Sequence, residues 1–354
     1  MNEYISLDRE LNNDDSYNES LTYSVSDNES GKCDSKNEYV EVKYNKQIAN
    51  IFDIYLYGVG MIINGQISVW NFALDGGFWE LFVSTCIISF GYVCFSLCLA
   101  ELVSILPFSG GAFGFVRVTL GFLVGFLVGA YESLEYILYV AAINFSLSAI
   151  VVELFSVPVQ YSPLLWLMFY GISISIHLRG GRLFYIISNI LTIISILLII
   201  IYCTATIQQM NYREYIYPSY AKSNLYSNGG FLVFMRYYSI PAQFYLGMES
   251  IPLTGGGDSR LDSTKTIPKV VMFVISTLAF LSFALLFGVS AQYPGVTTAD
   301  NNMLSQSDAP LSFGYSNLFH ISLNTAFVFA IPAFFLGNFF FNMYRKYFNF
   351  DCCM

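Results

Sequence analysis

Apolar residues in this chain fall into eight long runs separated by short polar stretches. They lie at about 50–70, 81–105, 119–150, 164–178, 184–207, 231–254, 270–291 and 318–343. Most of them reach the roughly 20 residues that cross a hydrocarbon core. They also lack the recurring polar face that a soluble amphipathic helix keeps toward water. The pattern predicts an all-α polytopic membrane protein with eight transmembrane helices. Two runs are interrupted at their centres. The first, Ile48 to Asn71, carries Gly58-Val59-Gly60 and Asn64-Gly65; the sixth, Phe231 to Thr254, carries Pro241, Gln243 and Gly247-Met248-Glu249-Ser250. Open backbone inside a bilayer is tolerated only where it lines a protein cavity. Paired interruptions in corresponding places of two halves point to the binding site of a secondary transporter built on an inverted repeat. Five helices per half would put runs 1 and 6 in corresponding places.

Composition agrees with the pattern: 55% of residues are hydrophobic and 12% charged, against about 25% charged in soluble domains. Basic residues set an expected orientation. With the N-terminus in the cytoplasm, inside segments hold Arg9, Lys32, Lys36, Lys43, Lys46, Arg117, Arg179, Arg182, Arg260, Lys265, Lys269, Arg345 and Lys346. Outside loops hold Arg213 and Lys222, and Arg236 falls within run 6. The positive-inside rule then places both termini in the cytoplasm. Single cysteines at Ser219 and Thr298, in a background without the native cysteines, are expected to react with an impermeant thiol reagent on intact cells. One at Ser263 is expected to stay unlabelled. Labelling at Ser263 alone would reverse the orientation. The plasma membrane is the expected location, with an endomembrane as the alternative.

Residues 1–46 differ from the rest. Eleven acids and five bases stand among Asn and Ser with few large apolar residues, a composition that predicts a disordered acidic cytoplasmic tail. It lacks the basic start and apolar run of a signal peptide. The transporter domain is placed at 47–347, followed by a short cytoplasmic C-terminus at 348–354. Most of the net charge of −9 comes from the tail, so it says little about partners, and nothing points to nucleic acid. Cys86, Cys94, Cys98 and Cys203 read as small core residues, and no cysteine pair has metal-ligand spacing supported by other ligands. Cys352 and Cys353, after run 8, suit palmitoylation. No nucleotide-binding loop appears, and neither a cofactor nor a metal is expected.

Glycines at 58, 60 and 65 allow two readings. They can open run 1, let a substrate reach the backbone, and present the N-terminus of a half-helix to a carboxylate. They can equally serve close helix packing. On the first reading a side chain at Gly60 fills the binding site without unfolding the protein. On the second, stability falls first. Glu249 is the acid to single out in run 6. A carboxyl within a span is expensive when charged, which suits a proton carrier, though a structural acid bonded to unwound backbone is the alternative. Glu132 and Glu135, three residues apart, share one helix face and could hold an amine, pair with Arg236, or satisfy a neighbouring helix. Arg236 itself reads as an interfacial charge or a gate.

The most specific string is AELVSILPFSGGAFGFVRVTLG, ending at Gly121, with Pro107, Gly110-Gly111 and Arg117. It resembles the signature of the amino-acid/polyamine/organocation permeases, especially their ethanolamine-permease-like branch. Run 1 continuing into Trp70-Asn71, the acids Glu132 and Glu135-Tyr136, Gly247 to Leu253, Ile267-Pro268 and Ile331-Pro332-Ala333 are similar in order, and the resemblance covers roughly 48 to 350. It implies a broken-helix core lined by helices 1, 3, 6 and 8, and a proton-linked role for Glu249. The family norm is about twelve spans, and this chain holds eight. Gly255-Gly256-Gly257 also stands where relatives often carry Ala and acids, and Gln243 and Tyr245 where they often carry aromatics.

The expected function is secondary transport of an amino acid or small amine, coupled to protons, without enzymatic activity. The expected substrate contacts are Gly58, Val59, Gly60, Asn64, Gly65, Glu135, Gln243, Tyr245 and Gly247, with Glu249 coupling the proton. A truncated, non-transporting sensor or regulatory homologue is the alternative.

Overall fold

The computed structural model describes residues 51–105, 111–179, 181–216, 230–255, 263–296 and 304–338. The acidic tail, Pro107, Gly110, Ser219, Lys222, Gly256, Gly257, Arg260, Thr298, Arg345, Lys346, Cys352 and Cys353 lie outside them. The described residues form helices and turns without strands, as the apolar pattern predicts for an all-α polytopic membrane protein.

In chain order the α-helices are α1 (Ile51–Ile67), α2 (Phe78–Ile105), α3 (Gly111–Leu120), α4 (Phe122–Phe155), α5 (Ser162–Arg179), α6 (Gly181–Thr206) and α7 (Tyr212–Tyr215). They continue with α8 (Gly230–Tyr237), α9 (Ser263–Ser290), α10 (Leu311–Phe319) and α11 (Leu323–Ala326). Among the described residues five helices are long and apolar enough to cross a bilayer, or six when α10 and the segment from Leu323 to Asn338 count as one bent span. The expected eight runs map onto these with differences. Run 1 is the 17-residue α1, and run 6 is α8 followed by two 3₁₀ segments, Ile240–Phe244 and Met248–Gly255. The third run begins inside α3, and Gly121 (φ 93°) separates α3 from α4. There the chain folds back until Gly125 meets Arg117, so a Cβ at Gly125 would lie 2.8 Å from the Arg117 Cβ. Run 8 was expected to begin at 318. The chain instead bends by 114° between α10 and the Leu323–Asn338 segment, with His320 in the left-handed region (φ 52°) at the end of α10.

Helix α1 overturns one expectation. It is α-helical through Gly58, Gly60, Asn64 and Gly65 and unwinds only after Ile67, where Val69 takes φ 75° and Trp70–Gly76 continues as a 3₁₀ helix. Side chains brace the carbonyls at the end of the helix, where the Asn64 carbonyl also accepts the Ser68 backbone N–H at 3.1 Å. At the break Ser68 Oγ donates to the Asn64 carbonyl at 3.2 Å, and Trp70 Nε1 donates to the Gln66 carbonyl at 3.1 Å. No such partner is needed at Gly58 or Gly60, because the helix stays closed there. The glycines serve close approach instead, as small residues do between membrane helices. A Cβ at Gly58 would lie 3.1 Å from Val274, one at Gly60 2.1 Å from Thr192 Oγ1, and one at Gly65 1.8 Å from the Gln243 carbonyl oxygen.

The core gathers around α1. It packs against α6, α9 and both 3₁₀ segments of run 6, while α2 lies along α9. Gln66, fully buried, donates through its amide to the carbonyls of Phe244 at 2.8 Å and Leu278 at 3.4 Å and to Ser282 Oγ at 3.0 Å. One side chain therefore ties run 1 to runs 6 and 7. On the other side of the molecule, Asn144 of α4 and Asn338 exchange two amide hydrogen bonds, 2.7 and 3.1 Å. Asn144→Leu would remove both of these bonds from the buried Asn338 amide. It is expected to cost about 1 kcal/mol, the scale of such bonds between membrane helices, read as a lower melting temperature of the purified protein. An unchanged melting temperature would show that the pair adds nothing.

Candidate functional site

The break in run 6 begins with Pro241, which cannot donate a backbone hydrogen bond, and turns at Gly247 (φ 107°), a conformation that only glycine adopts without strain. Pro252 prevents a regular helix from re-forming beyond it. The turn aims Glu249 back at the chain, and its Oε2 accepts from the Gly247 N–H at 3.2 Å. Glu249 also meets α4. The Tyr136 hydroxyl lies 3.4 Å from Glu249 Oε1 and 3.2 Å from Glu132 Oε1. Glu132 and Tyr136 are four residues apart, one turn along the same face. The Glu132 carboxyl is also within reach of the Phe113 backbone N–H, in the first turn of α3.

Further groups converge on this point. Tyr92 of α2 feels the charges of both Glu249 and Glu135. Tyr139 feels that of Glu249 and lies within hydrogen-bond reach of the Asn64 side chain. Asn64 Oδ1 is buried without a hydrogen-bond partner. Three carboxyls, three tyrosines and an unfilled amide acceptor thus share one region between α1, α2, α4 and the break. No described Lys or Arg acts on Glu249 there, and its electrostatic neighbours are Glu135 and Glu132. Arg236, which the sequence offered as a partner for the span-3 acids, places its guanidinium over the Tyr237 ring at 5.7 Å. Arg117 lies over Phe113 and Phe122.

The expected substrate residues separate into two groups. Asn64, Glu135, Gly247 and Glu249 belong to the region just described. Gly58, Val59 and Gly60 lie along closed helix, and Val59 is fully buried. Gly65 touches the backbone of Gln243, so their contact joins the two interrupted runs. Tyr245 is fully buried, stacks on Tyr92 at 5.0 Å and shares a 2.6 Å hydrogen bond with Ser89, so its hydroxyl is engaged by α2. Tyr136 was not among the expected contacts. Its abundance-matched neighbours hid it, since the chain holds 27 tyrosines; the spacing of four from Glu132 was the available signal. Among the described residues no group of His, Cys, Asp and Glu could hold a metal ion.

No family model matches the chain. It is 33% identical over 94 residues to a protein of Bacillus subtilis (strain 168) named methylthioribose transporter. The match covers 26% of this chain and 20% of that protein.

Proposed function

We propose that this protein is a secondary active transporter that moves an amino acid or small amine across a membrane, coupled to protons. The observation that carries this reading is the convergence of Glu132, Glu135 and Glu249 beside the break in run 6, without a described base to neutralise them. A cationic amine supplies the missing positive charge, and its N–H groups suit the open acceptor of Asn64. Gly65, Gln243, Tyr245 and Gly247 frame the same region by joining runs 1 and 6. The backbone amides from Gly58 to Gly65 are engaged within α1, which leaves a carboxylate little to bind there. An amine without a carboxylate therefore fits better than a zwitterion. The arrangement suits binding and proton exchange.

A second reading is transport of a neutral ribose derivative, favoured by the name of the Bacillus subtilis relative. A third, a sensor or regulator that binds but does not transport, shares the same site. Uptake by the purified protein in proteoliposomes decides among them. Labelled amines, amino acids and methylthioribose are offered with and without an imposed proton gradient. Gradient-driven amine accumulation is expected. Accumulation of methylthioribose alone selects the second reading, and saturable binding without flux selects the third.

A further inference from the structure

Two carboxyl groups share one hydroxyl at the centre of this site. The Tyr136 hydroxyl stands 3.2 Å from Glu132 Oε1 and 3.4 Å from Glu249 Oε1. A phenol has one proton to donate, so it can serve only one carboxylate at a time. The other carboxyl is then left facing an oxygen lone pair, an arrangement that is favourable only when that carboxyl carries a proton and donates it. We propose that Glu132, Tyr136 and Glu249 form a proton relay in which Tyr136 passes a proton between the two acids. The step is balanced: protonated Glu132 gives its proton to the Tyr136 oxygen while the Tyr136 hydroxyl proton moves to the Glu249 carboxylate. Glu132 ends ionised, Tyr136 ends neutral, and Glu249 ends protonated. No other reactant takes part.

The surroundings give the relay two distinct ends. Glu132, buried on α4, lies within reach of the Phe113 backbone N–H at the start of α3. Glu249 holds the Gly247 N–H of the run-6 break. Moving the proton therefore strengthens one backbone contact as it weakens the other, because a carboxylate accepts more strongly than a neutral acid. The other titratable groups acting on Glu249 or Tyr136 are Glu135 on α4 for both. Tyr92 on α2 and Tyr139 on α4 respond to the Glu249 charge. The segment that bears Glu249 also packs against α1, α3 and α9, whose charged residues are Asp53 on α1, Arg117 on α3, and Lys265 and Lys269 on α9.

This inference deepens the proposed coupling and rests on it for its meaning in transport, but the relay itself can be tested without flux. Infrared difference spectra of the purified full-length protein are recorded over a pH series. Glu132→Gln and Glu249→Gln assign the carboxylic-acid bands. With Tyr136 in place each of these variants is expected to move the midpoint of the remaining acid. In Tyr136→Phe, which keeps the ring, the midpoints are expected to shift by about one pH unit and to retain only the direct charge coupling between the two acids. Tyr139→Phe serves as the control outside the relay and is expected to leave the coupling intact. Midpoints in Tyr136→Phe identical to the wild type overturn the relay. Should that variant fail to fold, fluorinated tyrosine at position 136 alters the hydroxyl while keeping its shape, and an unmoved midpoint there overturns it equally. In proteoliposomes Tyr136→Phe is expected to lose about tenfold more in proton-driven net uptake than in exchange of labelled amine. Full net uptake overturns the relay. Absence of all transport by the wild type overturns the proposed function, and the infrared titration still decides the relay.

Discussion

Gly65→Ala is expected to lower the stability of the purified protein by about 3 kcal/mol or more, at the upper end of what an added methyl costs in a packed interior. The new Cβ would lie 1.8 Å from the Gln243 carbonyl oxygen and 2.8 Å from its carbon. Both are backbone atoms, so no rotamer change relieves the overlap, and α1 must part from the run-6 break. Gly60→Ala meets a different obstacle, the Thr192 hydroxyl at 2.1 Å, with the Thr192 Cβ farther off at 3.3 Å. It is expected to lose less, and Thr192→Ala on the same chain should recover most of the loss. Melting temperatures of the two single variants and the double variant measure this. Failure of Thr192→Ala to rescue Gly60→Ala would show that the contact lies elsewhere. Gly60→Leu, expected from the sequence to block binding while sparing stability, is now expected to reduce stability first.

Glu249→Gln is expected to abolish proton-driven accumulation while leaving the fold in place. The amide oxygen can still accept from Gly247 N–H, and its NH₂ can donate to the Tyr136 oxygen, so both local contacts survive with one reversed in direction. What disappears is a group that can gain and lose a proton. The pH dependence of uptake should flatten, and whatever exchange of labelled substrate remains should be insensitive to the proton gradient. A well-folded variant with the wild-type pH profile would make Glu249 a structural acid and remove it from the coupling scheme.

The fold was legible where hydrophobicity alone decides. The runs that became α2, α4, α5, α6 and α9 were all visible, because a bilayer demands length and apolarity from each span separately. The break in run 6 was legible too, since Pro241, Gly247 and Pro252 each remove a helical option. The break in run 1 was placed too early. A glycine in a membrane helix marks either a need for open backbone or a need for proximity, and only the neighbour decides which. Thr192, Val274 and Gln243 were distant in sequence and therefore unreadable as neighbours. The true break sits at Val69, a β-branched residue at positive φ, which local preference argues against. It is held there by Trp70, whose indole N–H covers Gln66 and whose ring stacks on Phe244 at 5.3 Å. Glu249 and Asn64 were legible at the site because polar atoms in a span are costly without a purpose. Tyr136 was not, because an aromatic in a span is ordinary until its hydroxyl is seen between two acids.

Gln66 also bears on how the molecule can move. Its amide is committed to three acceptors on two other segments, and a sliding of α1 past α9 by even one residue would leave those bonds unmade inside an apolar interior. Such a slide is costly, so α1, the run-6 break and α9 travel together as one lever. Tyr136 of α4 reaches Glu249 at the edge of this unit, so under the proposed coupling a change of protonation would be felt where α4 meets it.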